Sequence, residues 1–61
     1  MELVDYARPC MMAERALKDL HDAMLRKKYD EALVHAMTAI VETKLTYNAI
    51  LHEKEQANAR G

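Results

Sequence analysis

Met24-Leu25-Arg26-Lys27-Lys28-Tyr29-Asp30-Glu31-Ala32-Leu33 is the stretch whose reading decides the fold. It holds no Gly or Pro, and neither does the rest of residues 10–60. Composition alone would therefore allow one continuous helix through it. The hydrophobic phase argues against that. Upstream, Cys10, Ala13, Leu17, Leu20 and Met24 follow the 3-4 spacing of an amphipathic helix, with Ala16 and Ala23 beside them. Extended at ~3.6 residues per turn, this stripe lands near Lys28, Glu31, His35, Ala39 and Glu42, which are mostly polar. Downstream, the apolar stripe is Tyr29, Leu33, Ala36, Ile40, Thr43, Tyr47 and Ile50. The two are out of phase by about 160° around a helix. A straight helix would have to face two opposite ways. A turn near Lys27 reverses the chain and sets the stripes facing each other, in an antiparallel hairpin.

The charges around the break agree with a turn. Arg26, Lys27 and Lys28 are cations at the C-terminal end of helix 1, and Asp30 and Glu31 are anions at the start of helix 2. Each sign suits the helix macrodipole at that place. The glycine that usually ends a helix is missing, so Lys27 or Lys28 must take the left-handed conformation at some cost. Pro9 suits a helix start, which puts helix 1 at about 9–27 and residues 1–8 in an N-terminal arm. Asp5 as the cap, with Pro9 inside the first turn, is the alternative. Helix 2 spans about 30–57, and 58–61 form a frayed polar tail.

With 61 residues, one small domain is the limit. Chains of this size bury only ~60% of their unfolded surface and need reinforcement from disulfides, metal or association. Cys10 is the single cysteine, which forbids an intrachain disulfide and points to a reducing compartment. No Cys/His cluster has zinc spacing. Association is the remedy left. Helix 2 asks for it directly, because it outruns helix 1 and carries a second apolar line, Val34, Met37, Val41 and Leu45. A stripe that wide suits a bundle interior. The expected fold is all-α: a two-helix antiparallel hairpin assembling into a homodimeric four-helix bundle. Its expected oligomer interface is Leu33, Met37, Ile40, Val41, Leu45, Tyr47, Ile50 and Leu51.

Several function classes are disfavoured. The formal net charge is −1, so neither nucleic acid nor an anionic membrane is drawn by a bulk field. No apolar run approaches the ~20 residues that span a bilayer. Met1-Glu2-Leu3-Val4-Asp5 has no signal-peptide character, and the expected location is the cytoplasm of a bacterium or an infected host cell. Glu31 and His35 share a helix face, but the Glu-x-x-His pairs of di-iron bundles are absent, so no metal or cofactor is expected. Cys10 lies near a helix N-terminus, which favours reactivity. It also lies on the apolar stripe, where cysteine acts as a small hydrophobe, and no spacing supplies it with a base. No enzymatic activity is expected. The one local feature with binding chemistry is Arg26-Lys27-Lys28-Tyr29, where cations could meet phosphate and Tyr29 could stack on a base.

The segment Lys28-Tyr29-Asp30-Glu31-Ala32-Leu33, with Ala16-Leu17-Lys18-Asp19-Leu20 before it, resembles the turn and second-helix start of tetratricopeptide-type hairpins. It also resembles microtubule-interacting-and-trafficking-type hairpins. The likeness covers under a third of the chain in a single copy, lacks the turn glycine, and implies a hairpin without a ligand. The whole chain is similar to small helical reading frames of tailed bacteriophages, being short, Met-rich and free of catalytic motifs. That likeness implies an accessory role, such as modulating a host protein. The expected function is therefore a non-enzymatic interaction protein, a self-associating hairpin that binds a macromolecular partner. The alternative is a nucleic-acid or nucleotide binder working through the basic tip.

Overall fold

Helix α1 (Ala7–Leu25) and helix α2 (Tyr29–Ala59) are joined by a three-residue turn and packed against each other. This is the computed structural model of the chain, and it describes residues 5–59. Within them there is no strand. The antiparallel hairpin read from the phase break is present, and its turn falls where the break demanded.

The turn is built from backbone alone. Lys28 N–H donates to the Ala23 carbonyl at 2.8 Å, and Lys27 N–H donates to the Met24 carbonyl at 3.0 Å. Together these form a Schellman closure, with Lys27 in the left-handed position at φ 59°. A Cβ in that conformation costs roughly 1–2 kcal/mol, and nothing in the turn chemistry removes the cost. Lys27→Gly is therefore expected to raise hairpin stability by about 1 kcal/mol, read as a higher midpoint in a thermal melt followed by circular dichroism. An unchanged or lower midpoint would mean that the lysine side chain stabilises the turn. Lys28 also begins the next helix, since its carbonyl accepts from Ala32 N–H at 3.0 Å.

Helix limits differ from the sequence reading by one or two residues at each end. Helix 1 begins at Ala7, whose N–H donates to Asp5 Oδ1 at 2.9 Å. Asp5 thus contacts the first turn from one residue before the cap position, which Tyr6 occupies instead of Asp5. Pro9 sits in the first turn, where its missing N–H costs nothing. Helix 1 ends at Leu25, so Arg26 and Lys27 lie in the turn and no cation falls in the last helical turn. Asp30 and Glu31 do occupy the first turn of α2. Residues 7–8 of the expected arm and 58–59 of the expected tail are helical. Residues 1–4 and 60–61, with Leu3 and Val4 among them, lie outside the described residues.

The main correction concerns what lies between the helices. The sequence reading set two apolar stripes face to face. Instead, the buried positions are six alanines: Ala13, Ala16, Ala23, Ala32, Ala39 and Ala49. Ala16 and Ala39 are only 4% and 7% exposed, while Leu17 and Ile40, the next residue in each helix, are 54% and 68% exposed. Counting outward from the turn puts Ala23 level with Ala32, and Ala16 level with Ala39. Small residues at matching heights let two helices approach toward the near end of the ~8–10 Å range of helix packing distances. Larger side chains cannot fit between axes that close and are displaced to the flank. Polar groups at the seam are satisfied locally: the Thr43 and Thr46 hydroxyls donate to the Ala39 and Glu42 carbonyls at 2.6 and 2.8 Å.

Candidate interaction surface

Helical geometry fixes where the displaced side chains go. At ~100° per residue, Leu17 and Met24 lie roughly a quarter-turn round from the α1 seam. Tyr29, Leu33, Ile40 and Tyr47 lie a similar angle round from the α2 seam. Two antiparallel helices are related by a local two-fold axis, so equal rotations in the same sense bring both sets to one long side of the hairpin. The stripes read from the sequence are real, but they lie side by side instead of face to face. Between them runs an open groove of ≈ 550 Å³, lined by Leu17, Leu20, Ala36, Ala39, Ile40, Thr43, Lys44 and Tyr47. Arg15 and Asp19 of α1 and Glu31 of α2 are exposed polar residues on the other long side.

Behind the groove, on the face of α2 turned away from α1, lies a second apolar strip. Val34, Met37, Thr38, Val41 and Glu42 line a shallow depression there, and Leu45 is exposed beside it. Of the expected interface residues, Ile40 and Tyr47 line the groove, Met37 and Val41 line the back depression, and Leu33, Leu45 and Leu51 are exposed on α2 outside both linings. Ile50 points nearer the seam, beyond most of α1. All eight are exposed, from Leu51 at 40% to Met37 and Ile40 at 68%. Leu17, Leu20 and Met24 had been assigned to the hairpin's own core. Leu17 and Leu20 line the groove, and Met24 is exposed on its α1 flank.

The exposed area has a measurable excess. The chain presents 5370 Å², against ~4000 Å² for a compact monomer of the same mass. Its radius of gyration is 14.9 Å, against ~10.5 Å for a compact chain of this length. The shape is a rod of 51 × 15 × 14 Å. Helix α2 has 31 residues and α1 has 19, so α2 overhangs by about 18 Å at 1.5 Å per residue.

The basic tip carries as many anions as cations. Arg26 Nε lies 3.5 Å from Asp22 Oδ2, and Lys28 Nζ lies 3.8 Å from Glu31 Oε2. Asp30 and Glu31 line the same shallow hollow as Lys27, Lys28 and Tyr29. The tip's charges cancel, so it does not focus a positive field.

Other chemistry is sparse. Cys10 is a half-buried free thiol on the groove side of α1. Among the described residues, no three His, Cys, Asp or Glu side chains stand close enough to hold a metal ion. Among them, too, no helix is long and apolar enough to cross a membrane. Compared with known proteins, the chain matches no family model, no curated protein and no solved structure.

Proposed function

We propose that the protein is a non-enzymatic interaction module, a helical hairpin that self-associates as a dimeric four-helix bundle and offers its remaining surface to a macromolecular partner. One observation carries this reading: the hairpin's own core is alanine, while every large apolar side chain named above for the interface is exposed. A chain this small with a core of small side chains is marginal by itself, and a partner covering the exposed faces would supply what is missing. Helix α2 is apolar around most of its circumference, the pattern of a helix surrounded by others. The likeness to short phage reading frames supports taking the macromolecular partner to be a host protein.

Sedimentation equilibrium at micromolar concentration is expected to give twice the 7.0 kDa chain mass. A folded species at the monomer mass would overturn the self-association.

The alternative, nucleic-acid or nucleotide binding through Arg26, Lys27, Lys28 and Tyr29, draws on the run of three cations at an exposed tip. Phosphate binding is driven by counterion release, in proportion to the charges neutralised. With Asp22, Asp30 and Glu31 beside them, those cations have little net charge to give. We expect a labelled single-stranded oligonucleotide to bind equally weakly at low salt to the native chain and to a variant with Lys27→Glu and Lys28→Glu. Tight, salt-dependent binding abolished in the variant would make the tip the functional site.

A further inference from the structure

Self-association as proposed above leaves open which surface is used, and the placement of the side chains distinguishes between two. We infer that a second copy of this chain seats on the grooved long side, face to face with its own grooved side, and that the strip Val34, Met37, Val41, Leu45 stays outside that contact. The inference rests on the self-association reading.

Three observations favour the groove. Both helices furnish it with apolar side chains: Leu17 and Leu20 from α1, and Ile40 and Tyr47 from α2. On the back strip only α2 contributes: the residues that line it, Val34, Met37, Thr38, Val41 and Glu42, all belong to that helix. A copy seated on the groove therefore joins four helices around one apolar interior, whereas a copy on the back joins two.

The area also fits. One long side of the 51 × 15 Å rod, the α2 overhang included, has a projected footprint of roughly 770 Å², of the order of the ~800 Å² of accessible surface that each partner buries in a standard stable interface. The excess exposure over a compact monomer, ~1300 Å², exceeds what one such face contributes.

The third observation is the alanine seam. With alanine between the helices, Leu17, Leu20, Ile40 and Tyr47 are left along one side. A two-fold axis can set that side against the same side of a second copy. Each copy then supplies the side chains that the other copy's core lacks. Lys44 at the groove margin keeps its ammonium in water while its stem lies along the apolar surface.

The test compares Leu17→Asp and Ile40→Asp in the groove with Val34→Asp and Val41→Asp on the back, using sedimentation and circular dichroism on the full chain. The groove variants are expected to weaken the dimer by ~100-fold or more, as for central interface residues, and the back variants to leave it within a few-fold. Groove variants that lose their helical signal altogether would not discriminate, so a second measurement uses a milder change. Tyr47→p-benzoylphenylalanine keeps an aromatic ring in the groove, and Leu45→p-benzoylphenylalanine places the same probe on the back. Illumination is expected to give covalent dimer from position 47 and little from position 45. Equal or greater yield from position 45, or dimers lost only in the back variants, would overturn the groove assignment while leaving self-association standing. A native chain that is monomeric would remove both.

Discussion

Ala16→Leu is expected to unfold the hairpin. Ala16 is 4% exposed and stands level with Ala39 across the closest part of the seam. Leucine and alanine have nearly equal helix propensity, so α1 itself is not weakened. With Ala16 4% and Ala39 7% exposed, the seam leaves little room for an isobutyl group between the helices. Either the axes separate, opening the Ala23–Ala32 and Ala13 contacts together, or the side chain is forced off-rotamer. Overpacking of this kind costs about 1–3 kcal/mol, a large share of what a chain this small has. Loss of most of the cooperative thermal transition is the expected reading by circular dichroism. Ala57→Leu, at an exposed position on the α2 overhang, serves as the control and is expected to leave the transition in place. A higher melting point for Ala16→Leu would show that the seam has room, and would restore the arrangement in which the large apolar stripes face each other.

That prediction is the reverse of what the sequence alone suggests, and the reason is physical. The turn was legible because phase is a property of the whole pattern: Leu17, Leu20 and Met24 cannot share a straight face with Leu33, Ile40 and Tyr47. Hydrophobic periodicity weights large side chains most heavily, so it centred each stripe on Leu, Ile, Met and Tyr. Packing distance obeys a different rule, since the smallest residues permit the closest approach. Ala16 and Ala23 are seven apart, as are Ala32 and Ala39, a heptad spacing at mirror-image distances from the turn. Giving that pattern equal standing would have placed the seam about a fifth of a turn away on α2. The stripes would then have appeared as one composite side face. Assigned instead to the hairpin's interior, Leu17, Leu20 and Met24 were missing from the expected interface. The helix 2 residues were included because a stripe too wide for one neighbour was visible without knowing the seam. The tip read differently for another reason: Asp22 is four residues before Arg26, and its approach to the guanidinium depends on the helix persisting to Leu25.

The melting temperature of the native chain is expected to depend on its concentration. A lone hairpin unfolds within one molecule, and its midpoint is indifferent to dilution. A bundle that folds only as it pairs converts one dimer into two unfolded chains, so mass action favours unfolding as the protein is diluted. The size of the effect follows from enthalpy. Two chains of 61 residues at ~0.7 kcal/mol per residue release about 85 kcal/mol on folding near 60 °C. The midpoint should then fall by ~6 °C for each tenfold dilution. Over a hundredfold range this is a shift of about 12 °C, well outside the error of a melt followed at 222 nm. Val41→Asp should show the same slope as the native chain, because its strip lies outside the groove. Leu17→Asp should show at most a low, broad transition that no longer moves with concentration, since what remains is the alanine seam. A native midpoint unmoved across the hundredfold range would mean that six buried alanines and a Schellman turn hold the hairpin without help. The exposed leucines, methionines and tyrosines would then owe their place to a different molecule.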